Sequence, residues 1–198
     1  MSAPTAHRRA LLALALVACG RAPSAMPNEG ASVSPARSGP FGTPLVLAVD
    51  EGERRVRRAA TAGGAPFIIK VDRRNGGAPN FMMGYEEIRP GASISPHVHP
   101  DADEIIFVHK GAGAADAGDH TGTIGPGSTI YIPRRTRITL RNTGGEPLAI
   151  AFFFDHPGFE EYLRDTSTPE RQPASPLSPA ELAAIRVRHH AHVVYERP

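Results

Sequence analysis

The residues that decide the fold are Gly91-Ala-Ser-Ile-Ser-Pro-His97-Val-His99-Pro-Asp-Ala-Asp-Glu104-Ile-Ile-Phe-Val-His-Lys-Gly111, with the spacing G-x5-H-x-H-x4-E-x6-G. Side chains two positions apart on a strand lie on the same face of a sheet, so His97 and His99 project into the same space. The four residues 100–103 leave room for a turn that brings Glu104 beside the two imidazoles on a neighbouring strand. The spacing therefore predicts a three-residue site of two imidazoles and one carboxylate.

A second segment follows as Gly127-Ser-Thr-Ile-Tyr-Ile-Pro133-Arg-Arg135-Thr-Arg-Ile138-Thr-Leu-Arg-Asn142. The first stretch resembles the first motif of the cupin superfamily at every defining position, and the second resembles the second cupin motif at Gly127, Pro133 and Asn142. The resemblance implies an all-β fold, a cupin-type jelly-roll β-barrel. Two positions depart from the family pattern: Arg135 stands where the family has a glycine, and Ile138 stands where it has its fourth metal ligand.

Two histidines and one carboxylate suit a divalent transition metal such as iron, manganese, nickel or zinc, and they leave coordination positions open. We therefore expect His97, His99 and Glu104 to be metal ligands, with Glu104 also the candidate catalytic residue as a proton shuttle. With Ile138 in place of the fourth donor, we expect weaker metal binding and an apolar wall on that side. The alternative is that the three polar side chains lie on a solvated sheet face.

The rest of the chain predicts short strands, because 20 Gly and 20 Pro residues separate brief apolar runs. Predicted strands cover Leu45–Val49, Pro66–Asp72, Phe81–Ile88 and Ile150–Phe154. Residues 51–58 contain four arginines and are expected to form a solvated edge or loop, with a ligand-binding patch as the alternative. We expect the barrel to occupy residues 45–156.

Residues 157–198 are expected to form a helical extension. The pattern from His156 to Arg164 predicts a short helix, and Ser178-Pro179-Ala-Glu181 predicts a capped helix that runs to about Arg188. These two helices resemble the extension of single-domain, quercetinase-like cupins. The histidines of the terminal segment (His189, His190 and His192) are expected to lie in a solvated tail, with a second metal site as the alternative.

The N-terminus has the order of a secretory signal peptide, with His7, Arg8 and Arg9 before an apolar run that ends at Ala18. The sequence Leu16-Val17-Ala18-Cys19 resembles the lipobox of bacterial lipoproteins. It implies a signal peptide over residues 1–19 and attachment to a membrane through an acylated Cys19. Gly20 after the cysteine favours the outer membrane by analogy. Residues 20–44 are rich in Ala, Ser, Pro and Gly and are expected to form a flexible linker.

Charge and cysteine content limit the remaining classes. Removal of Arg8 and Arg9 with the signal peptide would reduce the net charge of +2 to zero, so we expect no nucleic-acid partner. A single cysteine excludes an intrachain disulfide. Three functions remain: a metal-dependent dioxygenase acting on a small aromatic or apolar molecule, a non-catalytic small-molecule-binding protein of the cell envelope, and a metal-dependent isomerase or lyase. A homodimer is a further expectation, since exposed strands can pair.

Overall fold

The computed structural model describes residues 42–58 and 66–196 of the chain. The predicted signal peptide, Cys19 and nearly all of the predicted linker lie outside these residues. The elements are, in chain order, β1 Glu53–Arg57, β2 Pro66–Val71, β3 Met82–Ile88, β4 Ser93–Val98, β5 Glu104–Lys110, β6 Gly113–Ala117, β7 His120–Ile124, β8 Thr129–Ile132, β9 Arg137–Asn142, β10 Leu148–Phe154, α1 Phe159–Asp165, β11 Ser167–Pro169, α2 Pro179–Arg188 and β12 Val194–Tyr195.

Two antiparallel sheets carry the fold. One has seven strands in the order β11-β1-β2-β3-β10-β5-β8, and the other has five in the order β12-β4-β9-β6-β7. Apolar side chains from both sheets form one buried cluster, which includes Phe67, Ile106, Leu140 and Phe154. This arrangement, with two short helices near the C-terminus, confirms the predicted all-β jelly roll. Across the described residues, neither helix has the length and apolar character needed to cross a membrane.

The segment Leu45–Val49 is not a strand, so that prediction is wrong. The buried ammonium group of Lys70 donates hydrogen bonds to the carbonyl oxygens of Ala48, Val49 and Glu51, at 2.5, 2.7 and 2.6 Å. Those carbonyls are therefore satisfied by a lysine side chain instead of a neighbouring strand. An apolar run alone cannot reveal this long-range contact.

The arginine-rich segment 51–58 contains β1, so the prediction of a solvated edge or loop is also wrong. β1 lies inside its sheet, because it pairs with β2 on one side and β11 on the other. Its charges have nearby partners: Arg54 pairs with Glu170 at 2.6 Å, and Arg55 pairs with Glu53 at 2.8 Å. Acceptors from distant parts of the chain allow a charged segment to occupy the interior of a sheet.

The C-terminal segment contains both predicted helices. α2 begins with the expected capping box, in which Ser178 and Glu181 each bind the backbone N–H of the other. Two short strands were not expected in this segment: β11 pairs with β1, and β12 pairs with β4. The second pairing matters for the site, because it places the end of the chain against the strand that carries His97.

Candidate metal centre

The structure brings His97, His99 and Glu104 together inside the barrel. His97 lies on β4 of the five-stranded sheet, and His99 follows the end of that strand. Glu104 begins β5 of the seven-stranded sheet, so the expectation that it lies on a neighbouring strand is wrong: the two sheets pack face to face and bring it to the imidazoles. All three are buried, and one ligand atom from each lies within 4.8 Å of the others. His99 Nε2 is 3.8 Å from Glu104 Oε2. The alternative of a solvated sheet face is therefore wrong.

Backbone contacts fix how the two imidazoles face. His97 Nδ1 lies 2.8 Å from the carbonyl oxygen of Ser95, and His99 Nδ1 lies 2.8 Å from the carbonyl oxygen of His192. A carbonyl oxygen only accepts hydrogen bonds, so each Nδ1 donates and each neutral ring keeps its lone pair on Nε2. Both imidazoles are thus in the tautomer that binds a metal through Nε2, held by the outer contact that metal-binding histidines commonly have.

Burial keeps the three groups uncharged in the absence of a metal. Desolvation lowers the pKa of His97, and desolvation together with the neighbouring His97 ring lowers the pKa of His99 to about 3. Desolvation and the nearby Glu86 carboxylate raise the pKa of Glu104 to about 8. Neutral imidazoles are ready to bind a metal, whereas Glu104 must lose its proton, so metal binding at neutral pH would release a proton.

The hydrogen bonding of two buried atoms in this group also points to a metal. Among the described residues, neither His99 Nε2 nor Glu104 Oε2 has a hydrogen-bond partner, although both are shielded from solvent. Leaving a buried polar atom unsatisfied costs about 1–3 kcal/mol. A divalent ion between the imidazoles and the carboxylate would satisfy both atoms, so the donor set and its burial fit a transition metal.

The departures from the cupin pattern have clear structural consequences. Ile138 is fully buried and pairs directly opposite His97 across β4 and β9, so hydrocarbon lies where the family has its fourth ligand. Arg135 is exposed and has a φ of 67°, the left-handed conformation that favours a glycine. The backbone therefore keeps the shape of the motif while one donor is lost.

A small cavity adjoins the candidate ligands. It has a volume of about 30 Å³, enough for one or two water molecules. His97 and Glu104 line it together with Arg57, Glu86 and Tyr195, three polar residues that the motifs did not single out. The apolar part of the wall consists of Ile94, Ile106, Leu140, Ile150, Phe152 and Phe159.

Aromatic side chains enclose the imidazoles. Tyr195 of β12 stacks on the ring of His97, with ring centroids 5.2 Å apart, and Phe159 of α1 meets His99 edge-on at 4.7 Å. Phe154 contacts the same imidazole at 4.5 Å. Sequence reasoning missed Tyr195 because a two-residue strand has no detectable periodicity. The C-terminal segment therefore forms part of the site.

The terminal histidines are not simply a solvated tail. His189 Nε2 lies 2.9 Å from Asp165, and His192 Nδ1 lies 2.6 Å from Asp101 in the loop between the candidate ligands. Both rings are partly buried, whereas His190 is exposed. Within residues 42–58 and 66–196, the group formed by His97, His99 and Glu104 is the one cluster that could hold a metal, so the alternative of a second site here finds no support.

A jelly roll with two imidazoles and a carboxylate inside defines the class as a cupin-type barrel with a possible metal centre. The family model described as "Cupin domain" matches residues 84–154. A crystal structure of a "predicted oxalate decarboxylase" from Thermotoga maritima is similar, with a TM-score of 0.50 and 16% identity over 57% of this chain and 100% of that chain. Residues 84–154 are thus similar to the cupin domain, and the structural likeness shows the fold alone.

Two curated relatives come from Streptomyces. "Protein SchB" of Streptomyces halstedii is 36% identical over 76 residues, which cover 38% of this chain and 55% of that protein. "Polyketide synthase CurC" of Streptomyces cyaneus is 33% identical over 76 residues, which cover 38% of this chain and 49% of that protein. The chain thus spans about half the length of the curated relatives it matches.

Proposed function

We propose that this chain is a divalent-metal-dependent enzyme that acts on a small apolar or aromatic molecule, with oxygen-dependent cleavage as its reaction. The observation that carries the proposal is the convergence of His97, His99 and Glu104 with two buried ligand atoms that lack hydrogen-bond partners. Iron, manganese, nickel and zinc all accept this donor set. Iron, manganese and nickel also suit a reaction with oxygen.

Each residue has a definable part in such a site. His97 and His99 would hold the ion through Nε2, because their Nδ1 atoms are committed to backbone carbonyls. The ion would supply open positions for substrate and oxygen and would polarise a bound oxygen atom. Glu104 could complete the site as a carboxylate or hold a proton at its carboxyl group, since burial raises its pKa to about 8. Phe159 and Tyr195 exclude water from the imidazoles.

The proposed substrate class has two supports. Phe152, Phe159 and Tyr195 give the cavity an aromatic wall, which suits contact with an apolar or aromatic molecule of which only a small group enters the volume of about 30 Å³. One relative is named a polyketide synthase, which favours a molecule of polyketide type.

A second candidate function is non-catalytic binding of a small molecule. The specific observation in its favour is Ile138, which fills the position of the fourth ligand with hydrocarbon. Metal-dependent isomerase or lyase chemistry would use the same three ligands without oxygen.

The deciding experiment measures metal content and oxygen uptake on the same preparations. The purified full chain is analysed for bound metal by mass spectrometry, then tested for oxygen uptake with a flavonol and a catechol. We expect close to one iron, manganese or nickel ion per chain and substrate-dependent uptake. Anaerobic turnover would instead indicate an isomerase or lyase, and metal binding without turnover would favour a binding protein.

A matched pair of variants distinguishes loss of a metal ligand from the general effect of removing a histidine. His97→Ala should remove the metal, whereas His109→Ala, at an exposed position on β5, should retain it. A metal-free wild-type protein that His97→Ala leaves unchanged in metal content and stability would rule out the catalytic proposal.

We also propose that the chain is exported and anchored in the cell envelope through an acylated Cys19. The support is the charged and apolar order of residues 7–18, followed by the only cysteine of the chain. Labelling of cells with a radioactive fatty acid should mark the wild-type protein but not Cys19→Ser. Label retained by that variant, or wild-type protein found only in the cytosolic fraction, would refute the anchor.

We also propose that the chain forms a homodimer. Ile105, Phe107 and Tyr131 expose apolar surface on β5 and on β8, which is one of the two edge strands of the seven-stranded sheet. Sedimentation of the wild type as a dimer and of Phe107→Asp as a monomer would support this surface as the contact. A wild-type monomer at high concentration would exclude it.

A further inference from the structure

A buried ion pair lies in the cavity wall beside the candidate metal ligands. Arg57 Nη2 on β1 is 2.5 Å from Glu86 Oε2 on β3, and the two side chains are 17% and 9% exposed. The guanidinium reaches across the intervening strand and lies 4.7 Å above the ring of Phe67. This contact carries one positive and one negative charge to the inner face of the barrel.

The stability of the fold gives little reason for this pair. Removing two charges from water is costly, and apolar side chains of similar volume often stabilise a protein as well or better. β1 and β3 are already held by their pairing with β2. The position of the pair in the cavity wall suggests a role in ligand binding.

The guanidinium of Arg57 has hydrogen-bond donors that its contact with Glu86 does not use. A guanidinium carries five N–H groups in a rigid fork. Within the described part of the chain, the contact from Nη2 to Glu86 is the one side-chain hydrogen bond that Arg57 makes. Its other N–H groups have no hydrogen-bond partner among residues 42–58 and 66–196, so they can serve a ligand in the cavity, and a fork of this shape matches a carboxylate.

The charges around the cavity also favour an anion. With a divalent ion held by neutral imidazoles, Glu104 and Glu86 contribute one negative charge each and Arg57 one positive charge. The ion, the two carboxylates and the guanidinium together then give the cavity a net charge of +1. A singly charged anion would neutralise it, whereas a cation would be repelled.

We propose that Arg57 recognises an acidic oxygen group, a carboxylate or an enolate, on the molecule that binds in this cavity, and that Glu86 is its resident counter-ion. The inference rests on the proposed function for the identity of the site, although among the described residues the side chain of Arg57 makes its hydrogen bond to Glu86 and none to the candidate metal ligands. The volume of about 30 Å³ suits the acidic group alone. Small probes are therefore the appropriate test.

The test compares acetate with acetamide, which has nearly the same shape and no charge. Both are titrated into the full chain at low ionic strength, with and without added manganese, and binding is followed by nuclear magnetic resonance. We expect the metal-loaded wild type to bind acetate at least tenfold more tightly than acetamide. Arg57→Met should weaken acetate binding about 10- to 100-fold, since a hydrogen bond to a charged group is lost, with acetamide binding unchanged.

Two further variants should change acetate binding in ways that a purely structural ion pair would not. Glu86→Gln removes the competing carboxylate, so acetate should bind more tightly than to the wild type. Arg57→Lys keeps the charge and should retain most of the preference for acetate. If Arg57→Met does not fold, tighter acetate binding by Glu86→Gln together with a retained preference in Arg57→Lys still decides the question.

Arg134→Met is the matched control, because it removes an arginine that pairs with Asp103 on the surface, outside the cavity wall. Equal effects of Arg57→Met and Arg134→Met, or acetate binding that falls in Glu86→Gln as it does in Arg57→Met, would overturn the inference. The metal arm keeps the two proposals apart. If added manganese fails to bind but acetate is still preferred to acetamide, only the metal proposal is contradicted. If manganese binds but acetate is not preferred, only the present inference is contradicted.

Discussion

Replacing Glu104 with glutamine should stabilise the metal-free protein while abolishing metal binding. In the folded chain, desolvation raises the pKa of Glu104 from 4.5 to about 8. The folded carboxyl group therefore retains a proton that the unfolded chain loses above about pH 4.5. This difference in proton binding destabilises the folded state as the pH rises. A glutamine of nearly the same shape does not titrate, so the variant does not lose stability in this way.

The magnitude follows from the linkage between proton binding and folding. Each pH unit between the two pKa values changes the free energy of unfolding by about 1.4 kcal/mol. At pH 5 the wild type and Glu104→Gln should differ by less than about 1 kcal/mol, and at pH 7 by about 3 kcal/mol in favour of the variant. Above pH 8 the difference should stop growing, because both states are then deprotonated.

The assay is urea unfolding of both proteins after treatment with a chelator, at several values between pH 5 and pH 8.5. Glu87→Gln is the matched control, since Glu87 is exposed next to Glu86 on β3 and should show little change. Added zinc should raise the stability of the wild type and leave Glu104→Gln unchanged. A variant that is less stable than the wild type at pH 8, or a difference that does not vary with pH, would refute the reasoning.

Three other substitutions should lower the free energy of urea unfolding. In Gly84→Ala the new Cβ would lie 2.1 Å from the ring of Phe152, so we expect a loss of about 1–3 kcal/mol from overpacking. Asp72→Asn breaks a 2.5 Å contact between a fully buried carboxylate and Arg164, and we expect a loss of about 3–5 kcal/mol. Ser178→Ala removes the capping box of α2, with an expected loss of about 1 kcal/mol.

Each of these has a control in the same chain. Gly122→Ala should be tolerated, because no atom lies within 4 Å of the added Cβ. Asp116→Asn breaks a partly exposed pair with Arg141, so its effect should be far smaller than that of Asp72→Asn. Ser175→Ala changes a serine outside the cap of α2. A control that loses as much stability as its test variant would contradict the mechanism given for that pair.

The barrel and the candidate ligands could be predicted because the motifs that resemble the cupin pattern are continuous stretches of sequence. Spacing on one strand places His97 and His99 on one face. Glu104 lies on β5 of the other sheet, so its approach to the imidazoles was predictable only through the resemblance to the cupin motif. The capping box at Ser178 is equally local, and α2 begins where it was expected to begin. Sequence spacing is sufficient where the interacting residues are neighbours in the chain.

The features of the site and fold that the sequence did not predict depend on contacts between distant segments of the chain. Arg57 and Glu86 meet across an intervening strand. A ligand-binding patch was only the alternative for residues 51–58, and the sequence did not show which arginine lines a cavity. Tyr195 reaches His97 through a two-residue strand at the end of the chain. The strand expected at Leu45–Val49 fails for the same reason, because the side chain of Lys70 binds the carbonyls there.

The most direct test of the metal centre is anomalous diffraction at the zinc edge from a crystal of the full chain grown with zinc. We expect one strong peak inside the barrel, about 2.0–2.1 Å from His97 Nε2 and from His99 Nε2 and about 2.0–2.2 Å from a carboxylate oxygen of Glu104. The absence of a peak at that position, or imidazoles that point away from each other, would contradict the account.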